Sequence, residues 1–321
     1  MSDSNTGSQS PRQRTSRLLH LLTQTPMHVG AGFGPGAVDR PIQRERPTGF
    51  PVIPGPTLKG ALAAAWLEAG ASEGNPAGMQ RDAQGRWLFG DNRPGQTAPS
   101  RLHVSEARLL AFPVRSARGG FAWVTCPLIL RRYARDGGLA ALKPDGTPNH
   151  DLLPRESPRD HQALFHRQGI LALGDRIVLE DYTLFYREEL PPQLPGALQS
   201  LLPADPVWTE LSSRLVLVSD SLLSYLVQTA CEVVQHAALD AGSGAVRAGS
   251  IYSQENVPAE TMFYARIMAR EEAEPRPAQG QARGALDLFR ERMEKGGICQ
   301  VGGDASTGHG LCSVAVKNPV A

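Results

Sequence analysis

The chain carries no excess charge. Its 33 Lys and Arg stand against 32 Asp and Glu, a formal net charge of +1 over 321 residues. The molecule as a whole is not a polycation, so any nucleic-acid surface has to be local. No apolar run approaches the roughly 18 residues of a membrane span, and no signal-peptide core follows the N-terminus. A cytoplasmic location with no membrane partner is expected. Cysteine is scarce: Cys126, Cys231, Cys299 and Cys312 include no C-x-x-C pair and fit free thiols in a reducing compartment. The set Cys299, His309 and Cys312 matches no standard zinc spacing. The glycines at 30, 32, 34 and 36 miss the G-x-G-x-x-G spacing, and there is no G-x-x-x-x-G-K-[ST]. Nucleotide-cofactor enzymes are disfavoured on that ground. There is no internal repeat.

The richest feature present is the segment 27–56. An apolar, strand-like run from Leu18 to Leu22 ends at Pro26, and a helix-like run begins near Thr57. An irregular connection longer than about 12–15 residues in a compact domain usually has a function. This one holds His28, Asp39, Arg40, Arg44, Glu45 and Arg46, the side chains of phosphate chemistry. Asp39 reads either as a turn cap or as a carboxylate beside a phosphate. With an ordinary pKa of about 3.9 it is a poor base for a ribose hydroxyl, so orienting a divalent ion or a water is the more economical role. His28 is either a hydrogen-bonded structural histidine or an acid/base beside the same phosphate. Arg40, Arg44 and Arg46 either pair locally with Glu45 or grip phosphate oxygens. Lys59 falls in the first turn of the expected helix, where free N–H groups point at an anion; it reads equally as an ordinary exposed lysine.

Elsewhere, Gly302, Gly303, Ser306, Thr307 and Gly308 lie in a Gly-rich stretch whose N–H groups can make an anion nest, or which is a plain hairpin loop. Glu255 reads as a solvated hairpin residue or a helper at the site. Six arginines and no acid lie between Arg108 and Arg135, either a solvated face or a local basic surface.

The pattern of elements is strand 17–25, helix 57–70 (Leu58, Leu62, Trp66 and Ala69 on one face), a loop over 71–99, strands 101–114 and 121–130, and a polar, mobile stretch over 136–168. Strands 175–187 and 214–218 follow, the first with a phase slip near Asp181, then a helix 221–239. A hairpin with Pro258 near its turn spans about 247–270. A last helix is marked by Leu286, Phe289 and Met293, before a closing strand, loop and strand. Residues 1–16 read as a disordered tail and 317–321 as a C-terminal tail. The order is that of an α+β, ferredoxin-like sheet with long insertions over 17–316.

The string Val38-Asp39-Arg40-Pro41-Ile42-Gln43-Arg44-Glu45, followed by Thr48-Gly49-Phe50-Pro51 and Leu58-Lys59-Gly60, resembles the backbone subunits of type III-B CRISPR effector (Cmr) complexes, members of the RAMP superfamily. Trp123 to Pro127, Tyr252 to Pro258 and the Gly302–Gly310 loop resemble the same family. Arg40 departs from it, standing where smaller or uncharged residues are expected. The resemblance implies a ferredoxin-like (RRM-like) palm with a β-hairpin thumb that wedges between nucleotides, Val257 being the apolar tip residue. It implies copies stacked in a helical filament on CRISPR RNA, beside other subunits of the complex. It also implies cleavage of complementary single-stranded target RNA at regular intervals. The cleavage residue is then Asp39, carrying a divalent metal ion (Mg2+ or Mn2+), with His28 and Glu255 as helpers. Arg40, Arg44, Arg46, Lys59 and the Gly302–Gly310 loop become RNA contacts. The nucleophile is the target's own 2′-hydroxyl, which excludes DNA. A sister subunit of a related type III complex and a catalytically silent RNA-binding subunit remain as alternatives.

Overall fold

The computed structural model describes residues 14–33, 36–67, 81–91, 93, 95–270 and 284–320. The apolar run Leu18–Leu22 lies in β1 (Arg14–Thr23), where Leu18, Leu19, His20, Leu21 and Leu22 are all buried. Consecutive buried residues mean that both faces of the strand are covered. After the long loop come β2 (Val52–Ile53) and α1 (Gly55–Ala63), whose Pro56 sits in the first turn, where its missing N–H leaves no bond unmade. Leu58 and Leu62 face inward, and a 3-10 turn buries Trp66. Helix α2 (Ala83–Phe89) starts at Asp82, whose carboxylate accepts from the Gly85 N–H. β3 (Leu102–Val104), β4 (Ala107–Ser116), β5 (Gly120–Thr125) and α3 (Pro127–Arg135) follow. The middle of the chain supplies β6 (Gln162–Leu164), β7 (Arg176–Leu179), β8 (Tyr182–Glu188), α4 (Leu194–Gln199), α5 (Leu211–Arg214), β9 (Leu215–Leu217) and α6 (Asp220–Thr229). The last part supplies β10 (Glu232–His236), β11 (Tyr252–Asn256), β12 (Met262–Arg270), α7 (Ala285–Gly296), β13 (Ile298–Gln300) and β14 (Leu311–Lys317).

One large sheet runs β13-β14-β1-β12-β4-β5-β9-β6-β8-β7. Ser116 at the end of β4 also pairs with Leu179 of β7, which bends the second half back on itself like a barrel. In the first half, β14, β1, β12 and β4 are successively antiparallel, with α1 following β1 and α7 joining β12 toward β14. Trp123, Trp208 and Phe112 fill the interior, with the two indoles edge to face at 5.2 Å. β10 and β11 form a separate two-stranded sheet.

Several expectations change. The hairpin does not span 247–270. β11 pairs with β10, whereas β12 crosses into the centre of the large sheet between β1 and β4, because its apolar residues are buried on both faces. Val257 is therefore no tip: it is 2% exposed and bridges Met27. The helix expected to run to Leu239 stops at Thr229, and Glu232–His236 pair with β11 instead. The phase slip near Asp181 is a turn: Glu180 takes φ +48 and β7 and β8 pair as a hairpin. The stretch 136–168 is anchored through buried Leu139, Leu152, Ala163, Leu164 and Phe165. Of the expected N-terminal tail, residues 14–16 belong to β1 and the rest lies outside the described residues, as do Ala69 and Gly70 of the first helix.

Candidate functional site

The described residues of the loop over 27–53 are held together by backbone hydrogen bonds. Ala31 N–H donates to the Pro41 carbonyl, Gln43 N–H to Val29, Val52 N–H to Gln43 and Glu45 N–H to Phe50. Ile42 and Phe50 are buried and anchor these short ladders to the core. The excursion they leave outside carries Phe33 and Asp39, both exposed, and the half-buried Arg40.

β11 straps this excursion down residue by residue. Ser253 donates both its N–H (2.7 Å) and its hydroxyl (2.9 Å) to Asp39 Oδ2, and accepts the Asp39 N–H at 3.0 Å. Its backbone carbonyl accepts the Arg40 N–H, and the Arg40 carbonyl accepts the Glu255 N–H. Glu255 is buried and uses both carboxylate oxygens: one accepts the Ile42 N–H at 3.0 Å, the other the Arg44 guanidinium at 2.5 Å. Arg44 also donates to the Gly49 carbonyl. Glu255 is thus a clamp on the loop, not the solvated hairpin residue of one sequence reading. Arg44 is neutralised, while Arg46 is exposed on the turn between Glu45 and Phe50.

His28 Nδ1 lies 2.7 Å from the Glu255 carbonyl. A carbonyl only accepts, so Nδ1 carries the proton and Nε2 presents a lone pair in the neutral ring. Gly30 leaves room for that ring, since a Cβ there would stand 2.8 Å from Nε2. The His28 carbonyl accepts the Gly303 N–H, and at Gly302 (φ +93) a Cβ would meet the same carbonyl at 2.4 Å. His28 therefore lies between β11 and the Gly-rich loop. Gln254 of β11 donates to the Asp304 carboxylate in that loop at 2.7 Å, Thr307 donates to the Asp304 carbonyl, and Ser306 and Gly308 are exposed. Lys59 is the fifth residue of α1, in its second turn and not in the first, because the helix begins at Gly55, two residues earlier than expected. Partial burial, and then the nearby Arg81, lower its pKa.

The electrostatics fix protonation states. The Ser253 N–H, and then its hydroxyl, hold the Asp39 carboxyl below its ordinary range, so it is ionised at neutral pH. Burial pushes the Cys231 and Cys299 thiols up to about 12, which removes them as nucleophiles. The Arg108–Arg135 series is largely committed to structure. Arg108 meets Glu106 and Asp136, Arg115 meets Glu180, Arg132 meets Glu45, and Arg118 donates to the Ala172 carbonyl. Among the described residues no three His, Cys, Asp or Glu side chains converge as a metal cage.

Beyond the strap, the β10–β11 hairpin stands out with an apolar surface: Val233, Val234, Leu239, Val246 and Ile251 are exposed. Its tip is closed by the Asp240 carboxylate, which accepts from the N–H groups of Gly242 and Ser243. At its base the Tyr252 ring stacks on His236 at 5.1 Å and carries the Arg40 guanidinium at 3.9 Å. Phe33 flanks the same guanidinium at 5.6 Å. Sequence reasoning missed Ser253, Tyr252 and Phe33 as site residues. The one signal for the strap is a run of polar residues, Ser253 to Asn256, in a strand whose burial has no apolar explanation.

A family model described as the RAMP superfamily matches residues 20–313. A curated protein, the CRISPR system Cmr endoribonuclease Cmr4 of Pyrococcus furiosus, is 29% identical over 307 residues, 94% of this chain and 95% of that one. The crystal structure of oligomeric Cmr4 from Pyrococcus furiosus matches with a TM-score of 0.65 and 25% identity, covering 95% of this chain and 99% of the other. A chain of the type III-B Cmr-beta complex bound to cognate target RNA, solved by cryo-electron microscopy, matches with a TM-score of 0.69 over 95% and 98% of the two chains; at 17% identity it shows the shared fold alone.

Proposed function

The chain belongs to the RAMP superfamily, and from that premise we propose that it is a backbone subunit of a type III-B CRISPR ribonucleoprotein that cleaves target RNA. It binds CRISPR RNA, stacks with copies of itself and other subunits, and cuts complementary single-stranded RNA at regular intervals. The strand order β14-β1-β12-β4, with α1 and α7 as its helices, supports a ferredoxin-like palm. The exposed apolar residues of β10–β11 support this hairpin, over 232–256, as the thumb that wedges between bases. Unstacking a base step costs a few kcal/mol, and stacked copies along one guide share that cost in series.

One observation carries the catalytic part: an ionised, exposed carboxylate, Asp39, is fixed by Ser253 on the same strand that forms the thumb. An ionised carboxylate of depressed pKa is a weak base, so the 2′-hydroxyl of the target is activated by other means. His28 Nε2 is the free lone pair held in the same strap. A divalent ion, Mg2+ or Mn2+, fits this donor set as one shared with RNA, since among the described residues no three ligating side chains converge there and Mg2+ characteristically combines one or two carboxylates with phosphate oxygens. Asp39 would hold it; when bound it supplies Lewis-acid stabilisation of phosphate charge. Glu255 acts by positioning, since both its oxygens are engaged. Arg46, Lys59 and the Gly302–Gly310 loop are left for the RNA backbone, and the reaction belongs in the cytoplasm.

The test uses the assembled complex with guide RNA and complementary target. Cleavage is expected to fall by about 10³-fold in Asp39→Ala with target binding kept, and to vanish at a position bearing a 2′-deoxynucleotide. An Asp39→Ala complex that cuts normally overturns the assignment. A complex that binds target and never cuts supports the silent-subunit alternative.

A further inference from the structure

Resting on the RNA-cleaving reading above, we propose that Arg40 is a catalytic residue: its guanidinium grips a non-bridging oxygen of the scissile phosphodiester and stabilises the charge that builds there during attack. In that step the target 2′-oxygen bonds to phosphorus and the bond from phosphorus to the 5′-oxygen breaks. The 2′-hydroxyl proton leaves to a base, and the departing 5′-oxygen takes up a proton from water. The products are a 2′,3′-cyclic phosphate and a 5′-hydroxyl. Phosphorus acquires extra negative charge on its equatorial oxygens in between, and a fixed cation at that point lowers the barrier.

Arg40 is built for this and its neighbours are not. Its backbone is pinned on both sides, the N–H to the Ser253 carbonyl and the carbonyl to the Glu255 N–H. Its guanidinium lies over Tyr252 at 3.9 Å and beside Phe33 at 5.6 Å. A guanidinium held over aromatic rings keeps N–H groups available for a phosphate oxygen. Among the described residues Arg40 makes no ion pair. The adjacent carboxylate of Asp39 is directed to Ser253 instead, so the two opposite charges of the site do not cancel one another. Arg44, by contrast, is bound to Glu255, and Arg132 to Glu45. An oriented cation next to an oriented carboxylate that does not neutralise it is a costly arrangement for stability alone, and it matches a phosphodiester that must be held and polarised. Tyr252 and Phe33 then act as positioning residues for the guanidinium.

The experiment measures single-turnover cleavage by the assembled complex carrying Arg40→Ala, Arg40→Lys or Arg40→Gln, alongside binding of a 2′-deoxy target that cannot be cut. Arg40→Ala is expected to slow cleavage by about 10²–10³-fold while the affinity for the 2′-deoxy target stays within about threefold. Arg40→Lys remains slow, because an ammonium neither stacks nor forks like a guanidinium. Added guanidinium ion restores part of the Arg40→Ala rate and none of the Asp39→Ala rate. Arg40→Gln, which keeps a planar group over Tyr252 without charge, guards against a folding defect and is expected to match Arg40→Ala. The proposal is overturned if Arg40→Ala or Arg40→Gln cuts within about threefold of the unaltered complex, or if its whole defect lies in target affinity. Failure of the underlying reading looks different: the unaltered complex does not cut, or Asp39→Ala cuts as well as it does.

Discussion

β11 and β12 are neighbours in the chain, separated only by Val257–Thr261, and they live in opposite environments. β12 lies between β1 and β4 with Met262, Phe263, Tyr264, Ala265 and Ile267 all buried. β11 pairs with β10 and, through one parallel bridge at Gln254, with Arg40 of the loop, and what it buries is polar: Gln254, Glu255 and Asn256. The first strand stabilises through apolar area removed from water. The second is held by hydrogen bonds to the loop that carries Asp39 and Arg40. On the proposed function, stability and chemistry are thus separated on two consecutive strands, and damage to each has a different signature.

The largest expected stability effect is on β12. Phe263→Ala leaves a cavity in the centre of the sheet and should cost about 3–5 kcal/mol, read by denaturant unfolding, with the cleavage rate per folded complex unchanged. A large loss of rate in the folded fraction would break the comparison. Next is the strap. Glu255→Gln leaves the Arg44 guanidinium without its carboxylate and should cost about 1–3 kcal/mol. Its cleavage defect should exceed what the unfolded fraction explains, because the loop is freed beside Asp39. The double variant Glu255→Gln with Arg44→Met should recover stability and not rate; recovery of both would make the clamp purely structural. On the outer hairpin, Val234→Ser with Ile251→Ser should change stability by less than about 0.5 kcal/mol and still weaken binding of guide RNA. Unchanged RNA affinity would remove this hairpin as the thumb.

In the connection itself the expected effect is on the pH dependence of stability and not on cleavage. Burial, and then the charge of Asp205, push the Glu260 carboxyl up to about 7 from an ordinary value of 4.5. The folded chain therefore keeps a proton that the unfolded chain has released, and stability is lost as pH rises from 4.5 through about 7. Glu260→Gln should flatten the melting temperature across that window and leave cleavage untouched. A pH dependence identical to that of the unaltered protein would place its origin elsewhere.

The parts of the molecule that were legible share one property: a local pattern with a single physical reading. Leu18–Leu22 announced a strand, and Leu286, Phe289 and Met293 announced the helix they bury. The loop with Asp39 stood out because Gly and Pro leave no regular structure to explain its charged side chains. The helix expected over 221–239 and the hairpin expected over 247–270 went the other way. Both depended on which distant strand Val233 and Phe263 would meet, and nothing in the local pattern separates a strand that pairs at the centre from one that pairs outside.

The sequence by itself pointed to the family, to a mixed α and β fold and to the long loop in which Asp39 stands, because each rests on neighbouring residues or on a run of matched motif. Only the tertiary structure decided that Ser253 fixes Asp39, that Glu255 takes Arg44 out of use, and that Tyr252 and Phe33 hold Arg40 free. Those residues lie more than two hundred positions from the loop they arrange, apart from Phe33, and their partners are chosen by strand placement. Backbone hydrogen bonds and core burial fix that placement globally, so no segment read alone contains it.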